Sequence, residues 1–423
     1  MKMSQDLFAT LELLRKLNDA ISVLSLIKAT NLEEERQKWC DSVVKNLAYN
    51  PKFEYNPLKI IGYGDELSLL KSKIDELPEE NASDIFIKQA ISEGVDKLII
   101  FVNLAKSIEA KDDEESMRLV RAHLGHFDTR LVRKAKAIID GEDLLQGFHI
   151  DCKLSEDQIK KAEETMLGPG ELAILFSDAL QQYGFASDGW VVKTGTDYQN
   201  ITVETKMTGG MVYVPTTRKP VKLREAIALV GHEIECHVRH NMNTAHLFSR
   251  ELGAPIELAR FLASRRNSIL TEGLAKVSDI TVGLECGRKT APTPEPWYVF
   301  AENMATNGAT FAETGYEIYT AFLKKGEAPE KAAQSAWKYV SRTYRGCTNC
   351  RNPKNYAWYG DKCYLEGFLQ ATELLKVHPS AKNFGKLYVD DFETISKLIG
   401  KDIDDIEPMY PKLNITEELI ARI

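Results

Sequence analysis

The segment Gly231-His232-Glu233-Ile234-Glu235-Cys236-His237 sets two imidazoles around a carboxylate. This is close to HExxH, in which two histidines on one helix hold zinc and the glutamate serves as general base. Four of the eight histidines, His232, His237, His240 and His246, fall in this neighbourhood. The spacing, however, carries one residue more than HExxH. In a regular α-helix positions four apart lie about 40° apart around the axis, whereas positions five apart lie roughly 140° apart. His232 and His237 therefore share one small ion only if the helix carries a one-residue π-bulge, common at functional sites, or ends near His237. His232 and Cys236 are the true i, i+4 pair, and a thiolate is a good zinc ligand, so that pairing is a rival. An amphipathic core helix with surface histidines is the plain alternative to both.

Catalytic zinc usually takes three protein ligands and leaves the fourth position to water. Downstream, Leu270-Thr271-Glu272-Gly273-Leu274-Ala275 offers a carboxylate. The segment Glu257 to Ile280, rich in Leu, Ala, Ile and Arg and free of Pro, reads as a second helix. Gly273 lowers the helix propensity there, and is tolerated where another backbone must pass close. Read in isolation, Glu272 is a solvated helix carboxylate.

Taken together, HExxxH and the following x-E-G-L-A segment resemble the microtubule-associated tyrosine carboxypeptidase family, which includes the bacterial proteins named for a QEGLA motif. Asn50-Pro51-Lys52-Phe53-Glu54-Tyr55 is similar to the family's NPxFxY segment. Tyr344-Arg345-Gly346 and Asp361-Lys362-Cys363-Tyr364-Leu365-Glu366-Gly367 resemble its RG and KDxxYLxG segments. The resemblance runs over roughly residues 15 to 400 and implies an α+β fold, predominantly α-helical and gluzincin-like. It further implies that His232, His237 and Glu272 bind one Zn²⁺ and that Glu233 is the general base. The implied activity is that of a zinc metallopeptidase, a carboxypeptidase acting on a peptide or protein C-terminal tail. Eukaryotic members remove the terminal tyrosine of α-tubulin. Three departures bear on substrate choice: Thr271 stands where the bacterial name has Gln, Cys236 sits beside a ligand, and Gly360 stands where KDxxYLxG has Lys. None removes a ligand or the base.

Composition suits a soluble enzyme. The chain has 423 residues, enough for two or three ordinary domains or one large one, and 43% of them are hydrophobic. A net charge of −8 argues against a nucleic-acid partner, whose backbone rewards clustered Lys and Arg. Met1 to Thr30 is interrupted by Asp6, Glu12, Arg15, Lys16 and Asp19, which leaves no signal-peptide core. No apolar run reaches the ~20 residues of a membrane span. Seven cysteines in so long a chain fit reduced thiols in a cytoplasmic setting. Cys347 and Cys350 form a CxxC with Cys363 not far behind, a pattern compatible with a second metal but short of a fourth ligand.

Helical periodicity runs through Leu7 to Ile27 and Ser83 to Ile108. Ser155 to Gln158 reads as a capping box, and Lys111 to Glu115 as a solvated helix end or loop. Domain boundaries are expected near residues 1–150 for an N-terminal helical region, 151–285 for the catalytic core and 286–423 for a C-terminal helical region, all within one compact unit. Three short β-branched runs, Gly189 to Val192, Asn200 to Glu204 and Met211 to Val214, predict a small antiparallel sheet immediately before the metal helix. Lys222 to Arg239 then reads as helix. Met211 to Val214 is the candidate edge strand for pairing with an extended peptide.

A zinc peptidase also needs an oxyanion donor, for which Tyr213, Tyr298, Tyr344 and Tyr364 are unranked candidates. A carboxypeptidase needs a cation for the terminal carboxylate, and Arg is favoured for its bidentate geometry. Arg345, in the RG segment, is the first choice, with Arg342 and Lys219 behind it. Arg345 and Tyr213 are thus the expected substrate-binding residues. A metal-binding regulatory or scaffold protein without turnover is the reading from another class, and the presence of Glu233 argues against it.

Overall fold

The computed structural model describes residues 5–21, 27–77, 79–142, 152, 154–196, 200–206, 208–265, 268–287 and 294–413. Local chemistry starts the helices where expected. The Asn81 side chain accepts the Asp84 amide and opens the longest described helix, Ala82–Glu109. That helix buries Ile87, Ile91, Val95, Leu98 and Val102, a stripe at three- and four-residue steps. In the charged run after it, Asp112 caps the helix Asp113–Leu124, and three acids in the first turn complement the macrodipole. Ser155 and Gln158 close a capping box on Glu156–Glu164. The first periodic segment forms the helix Gln5–Ala20, and residues 22–26 lie outside the described ones.

One large apolar core draws on both ends of the chain. It joins Leu14, Trp39 and Ile91 to Phe248, Leu270, Phe311, Trp337 and Phe384. The NPxFxY segment clasps these parts together. Phe53 packs edge-on against Phe311 and Trp337, and the Asn50 side chain accepts the Ala312 amide at 2.9 Å. Tyr55 donates to the Cys347 carbonyl at 3.1 Å and accepts the Gly346 amide at 2.9 Å. The N- and C-terminal helical regions therefore share a core. A second cluster, including Phe176, Trp190, Val212, Ile227 and Ile234, lies under the sheet and one face of the motif helix. No described helix is long and apolar enough to cross a membrane.

The strands are β1 (Met166–Leu167), β2 (Trp190–Gly195), β3 (Thr202–Lys206), β4 (Gly209–Pro215) and β5 (Val221–Lys222). β1 and β5 form a two-stranded antiparallel pair, and the others a three-stranded sheet of order β2-β4-β3. This corrects two expectations. The sheet is mixed, because β4 runs parallel to β2 and antiparallel to β3. Met211 to Val214 lies in the central strand, with Val212 and Val214 fully buried, so its backbone is already paired on both sides. The edges are β2 and β3.

The segment Leu223–Leu252 runs as α-helix to Val230, as π-helix over Gly231–Val238 and as α-helix again from Arg239. The second expected helix divides into Ile256–Arg265 and Ser268–Glu285. The latter carries Glu272 and packs between the motif helix and the helix Cys363–Val377. Two glycine contacts set those distances. A Cβ on Gly273 would stand 1.9 Å from the Gly367 carbonyl oxygen, and one on Gly367 would stand 2.0 Å from the Ile269 oxygen. On the other flank, a Cβ on Gly231 would meet Ser278 Oγ at 3.0 Å and Val282 at 3.1 Å. Backbones cross here at a separation that any side chain would widen.

This contact generates a prediction. Gly273→Ala places a methyl against backbone, which cannot swing aside as a side chain would, so overpacking should cost about 1–3 kcal/mol or more. Thermal unfolding should show a lowered Tm, and metal analysis should show reduced zinc because Glu272 adjoins the displaced residue. An unchanged Tm would mean that the helices do not cross at this contact.

Candidate metal centre

The two motif histidines meet because the helix winds more loosely between them. Over Gly231–Val238 the backbone adopts i→i+5 pairing, and the Arg239 amide donates to the Ile234 carbonyl. In a π-helix, positions five apart lie one above the other, as positions four apart nearly do in an α-helix. The imidazoles of His232 and His237 consequently stand with ring centroids 5.0 Å apart. Glu272 closes the group from the neighbouring helix. Its Oε2 is 3.9 Å from His232 Nε2 and its Oε1 is 3.6 Å from His237 Nε2. One donor atom from each of the three lies within 4.8 Å of the others. Tetrahedral zinc with bonds of about 2.0–2.2 Å holds its ligands roughly 3.3–3.6 Å apart, so two nitrogens and an oxygen within this reach would suit it once drawn in by about 1 Å at most.

A second carboxylate holds one ring in place. His232 Nδ1 donates to Asp279 Oδ2 at 3.1 Å, which turns Nε2 to the Glu272 side, where a metal ion would replace its proton. Carboxylate support of this kind is how proteins fix the tautomer of a metal-binding histidine. Lys276 Nζ also reaches Asp279, at 3.1 Å. Asp279 is absent from the sequence-based expectations. Its position seven residues after Glu272, two helical turns along the same face, is the signal that points to it.

Burial and charge oppose one another in this group. For His232, burial favours the neutral ring, but the Asp279 charge and hydrogen bond, with Glu233 and Glu272, outweigh it and raise the pKa to about 9. Burial, then the field of His232 and of Lys386, holds His237 well below the ordinary histidine value. Glu233 is 8% exposed. Burial pushes its carboxyl up to about 7, helped by Glu272 and Asp279 and opposed by His232. A carboxyl poised near neutrality matches the requirement for a general base.

Other sequence candidates lie elsewhere. Cys236 is buried, and its thiol points to the Leu274 carbonyl at 3.6 Å rather than joining the ligand group. Burial raises that thiol to about 12, against thiolate ligation. Cys347 and Cys350 are buried together beside Asp113 and Tyr55. Cys363 is instead in the field of Glu272 and Asp361. The three thiols therefore do not converge, and among the described residues His232, His237 and Glu272 form the sole group of three donors that a metal would fit.

Arg345 departs from its expected role. It pairs with Asp361 at 3.2 Å. Arg342 pairs with the same carboxylate at 2.5 Å, donates to the Tyr298 hydroxyl at 2.9 Å and lies over the Tyr298 and Tyr364 rings. Lys219 is exposed beyond β4. Tyr213 is buried in the central strand, its hydroxyl occupying the space where Gly195 would carry a Cβ. Tyr344 is buried among Phe311, Thr314 and the Ala309 carbonyl. Tyr364 is the one of the four tyrosines in the field of Glu272, which, after burial, is the largest influence raising its pKa. The Gly273–Gly367 crossing brings it there. Lys386, also absent from the expectations, is held down to about 8 by burial against the opposing field of Glu272.

Three substitutions separate ligands from neighbours. His237→Ala should reduce bound zinc far below one equivalent, whereas Cys236→Ser should leave it nearly intact. Asp279→Asn removes the charge behind His232 and should weaken zinc binding about 10–100-fold. Competition with a chelator of known affinity measures all three. Zinc lost from Cys236→Ser and kept by His237→Ala would reverse the ligand assignment.

No curated protein sequence matches the chain. Residues 43–412 match the microtubule-associated tyrosine carboxypeptidase family. The match spans the NPxFxY clasp, the motif helix, the Glu272 helix and the Asp361–Gly367 segment, and this chain belongs to that family.

Proposed function

We propose that the chain is a zinc-dependent, gluzincin-like metallopeptidase that removes the C-terminal residue of a peptide or protein tail. The observation that carries this reading is the convergence of His232, His237 and Glu272 on one point, with Glu233 next to the first of them on the same π turn. Membership of a carboxypeptidase family supports the choice of bond.

Zinc on those three side chains would supply Lewis acidity to a water molecule and to the scissile carbonyl. The chain's own groups do the rest. Glu233, buried and in its carboxylate form, takes the proton of the attacking water and passes it to the departing amine. Asp279 keeps His232 in the tautomer that presents Nε2. Among the tyrosines, Tyr364 would donate to the developing oxyanion, its ring lying under Arg342 and its hydroxyl in the field of Glu272. The substrate backbone would add to the edge strand β3, which lies against the π segment, in place of the central strand β4.

Zinc-loaded enzyme should release one residue at a time from peptide C-termini, read by mass spectrometry over a panel differing only in the last residue. Glu233→Gln should keep zinc and fold while hydrolysis drops about 10²–10⁴-fold. Amidating the C-terminus should weaken the reaction about ten- to a hundredfold, the value of a charge-assisted hydrogen bond. Fragments cut at internal bonds would instead mark an endopeptidase. A zinc-loaded protein that cleaves no member of the panel would favour the regulatory or scaffold reading.

A further inference from the structure

The cations near the metal group differ in how far they are already engaged. Lys276 is paired with Asp279 and lies 5.4 Å from the centre of the Tyr364 ring. Arg342 and Arg345 both lean on Asp361. Lys386 stands apart from them: it makes no hydrogen bond or ion pair with any described residue. It is partly buried, and the anion acting on it is Glu272. That carboxylate is directed at His232 and His237.

Its placement is built in. Thr271 Oγ1 donates to the Gly385 carbonyl at 2.9 Å, a bond buried from solvent. A Cβ on Gly385 would meet His240 Nδ1 at 2.4 Å and Leu274 Cδ1 at 2.6 Å, so this backbone is pressed onto the motif helix and the Glu272 helix together. The backbone at residue 386 is therefore anchored beside the helix turn that carries Glu272. Once a divalent ion sits on the three donors, the charge of Glu272 is taken up by that ion. Lys386 is then a partly buried cation facing further positive charge, an arrangement that is costly until an anion arrives. An incoming carboxylate compensates it directly.

We propose that Lys386, rather than Arg345, recognises the terminal α-carboxylate of the substrate tail, an inference that rests on the carboxypeptidase reading above. The Thr271–Gly385 bond is the device that presents it. Its partner is a single carboxylate at the chain end, which sets the register of the scissile bond one residue upstream.

Binding is the discriminating measurement, since it needs no turnover. Zinc-loaded Glu233→Gln protein is titrated calorimetrically with one peptide as free acid and as C-terminal amide. The free acid should bind about ten- to a hundredfold more tightly. Adding Lys386→Met should erase most of that difference by weakening the free acid alone, with zinc content and Tm unchanged. Lys386→Arg should keep a preference for the free acid, and it serves as the reporter if the Met variant does not fold. Arg345→Ala should leave the preference in place. A preference that survives Lys386→Met overturns the proposal. So does a loss of kcat shared equally by acid and amide on the Glu233 background, which would put Lys386 on the oxyanion instead. Failure of the carboxypeptidase reading looks different: the parent protein would then bind acid and amide alike and release no terminal residue.

Discussion

Everything at the centre depends on how closely three helices approach. The helix bearing Glu272 is trapped between two backbones, with Gly231 and Ser278 on one flank and Gly273 and Gly367 on the other. An ordinary helix pair, spaced by side chains at 8–10 Å, would hold Glu272 too far from the imidazoles to share an ion. The glycines remove that spacing. Gly367 also brings its own helix near, and with it Tyr364, so the contact that places Glu272 places the candidate oxyanion donor as well.

Charge then organises what packing has assembled. Five ionisable groups, His232, His237, Glu233, Glu272 and Asp279, are crowded where water is largely excluded. Asp279 is nearly buried yet stays below the ordinary carboxylate range, because His232 and Lys276 outweigh the desolvation that opposes it. It can therefore act as a fixed negative charge behind His232. The neighbouring Asp361 plays the same part for Arg342 and Arg345, drawing both to the wall of the site.

How much of this was legible in the sequence follows from what each feature requires. The two histidines and Glu233 sit within six residues, so spacing alone posed the question that the π turn answers. Glu272 was legible because the glycine after it violates helix propensity and so needs a reason, which the Gly367 backbone provides. The strands were found but not their order, since alternation shows which residues face inward and says nothing about which strand lies in the middle. Hence β4 was read as an edge although it is paired on both sides. Arg345 was chosen by motif, yet Asp361 is sixteen residues on and only the fold shows that it holds that guanidinium. Lys386 carries no pattern at all. It is one of 54 basic residues, distinguished by the bond that its neighbour Gly385 makes with Thr271, 114 positions away.

The π winding has a further meaning for how such a motif can arise. An extra residue in a regular helix rotates everything after it by about 100°, and would turn one face of Arg239–Leu252 away from its partners. Wound as i→i+5, the extra residue is absorbed inside the turn, and the residues beyond keep the phase of a helix with four-residue spacing. Trp190 still reaches Met242, and Asn243 still holds Tyr410. Five-residue and four-residue spacings are thus interchangeable solutions one codon apart. What an ancestral sequence would have to preserve across that step is the pitch of a single turn, not the number of residues in it.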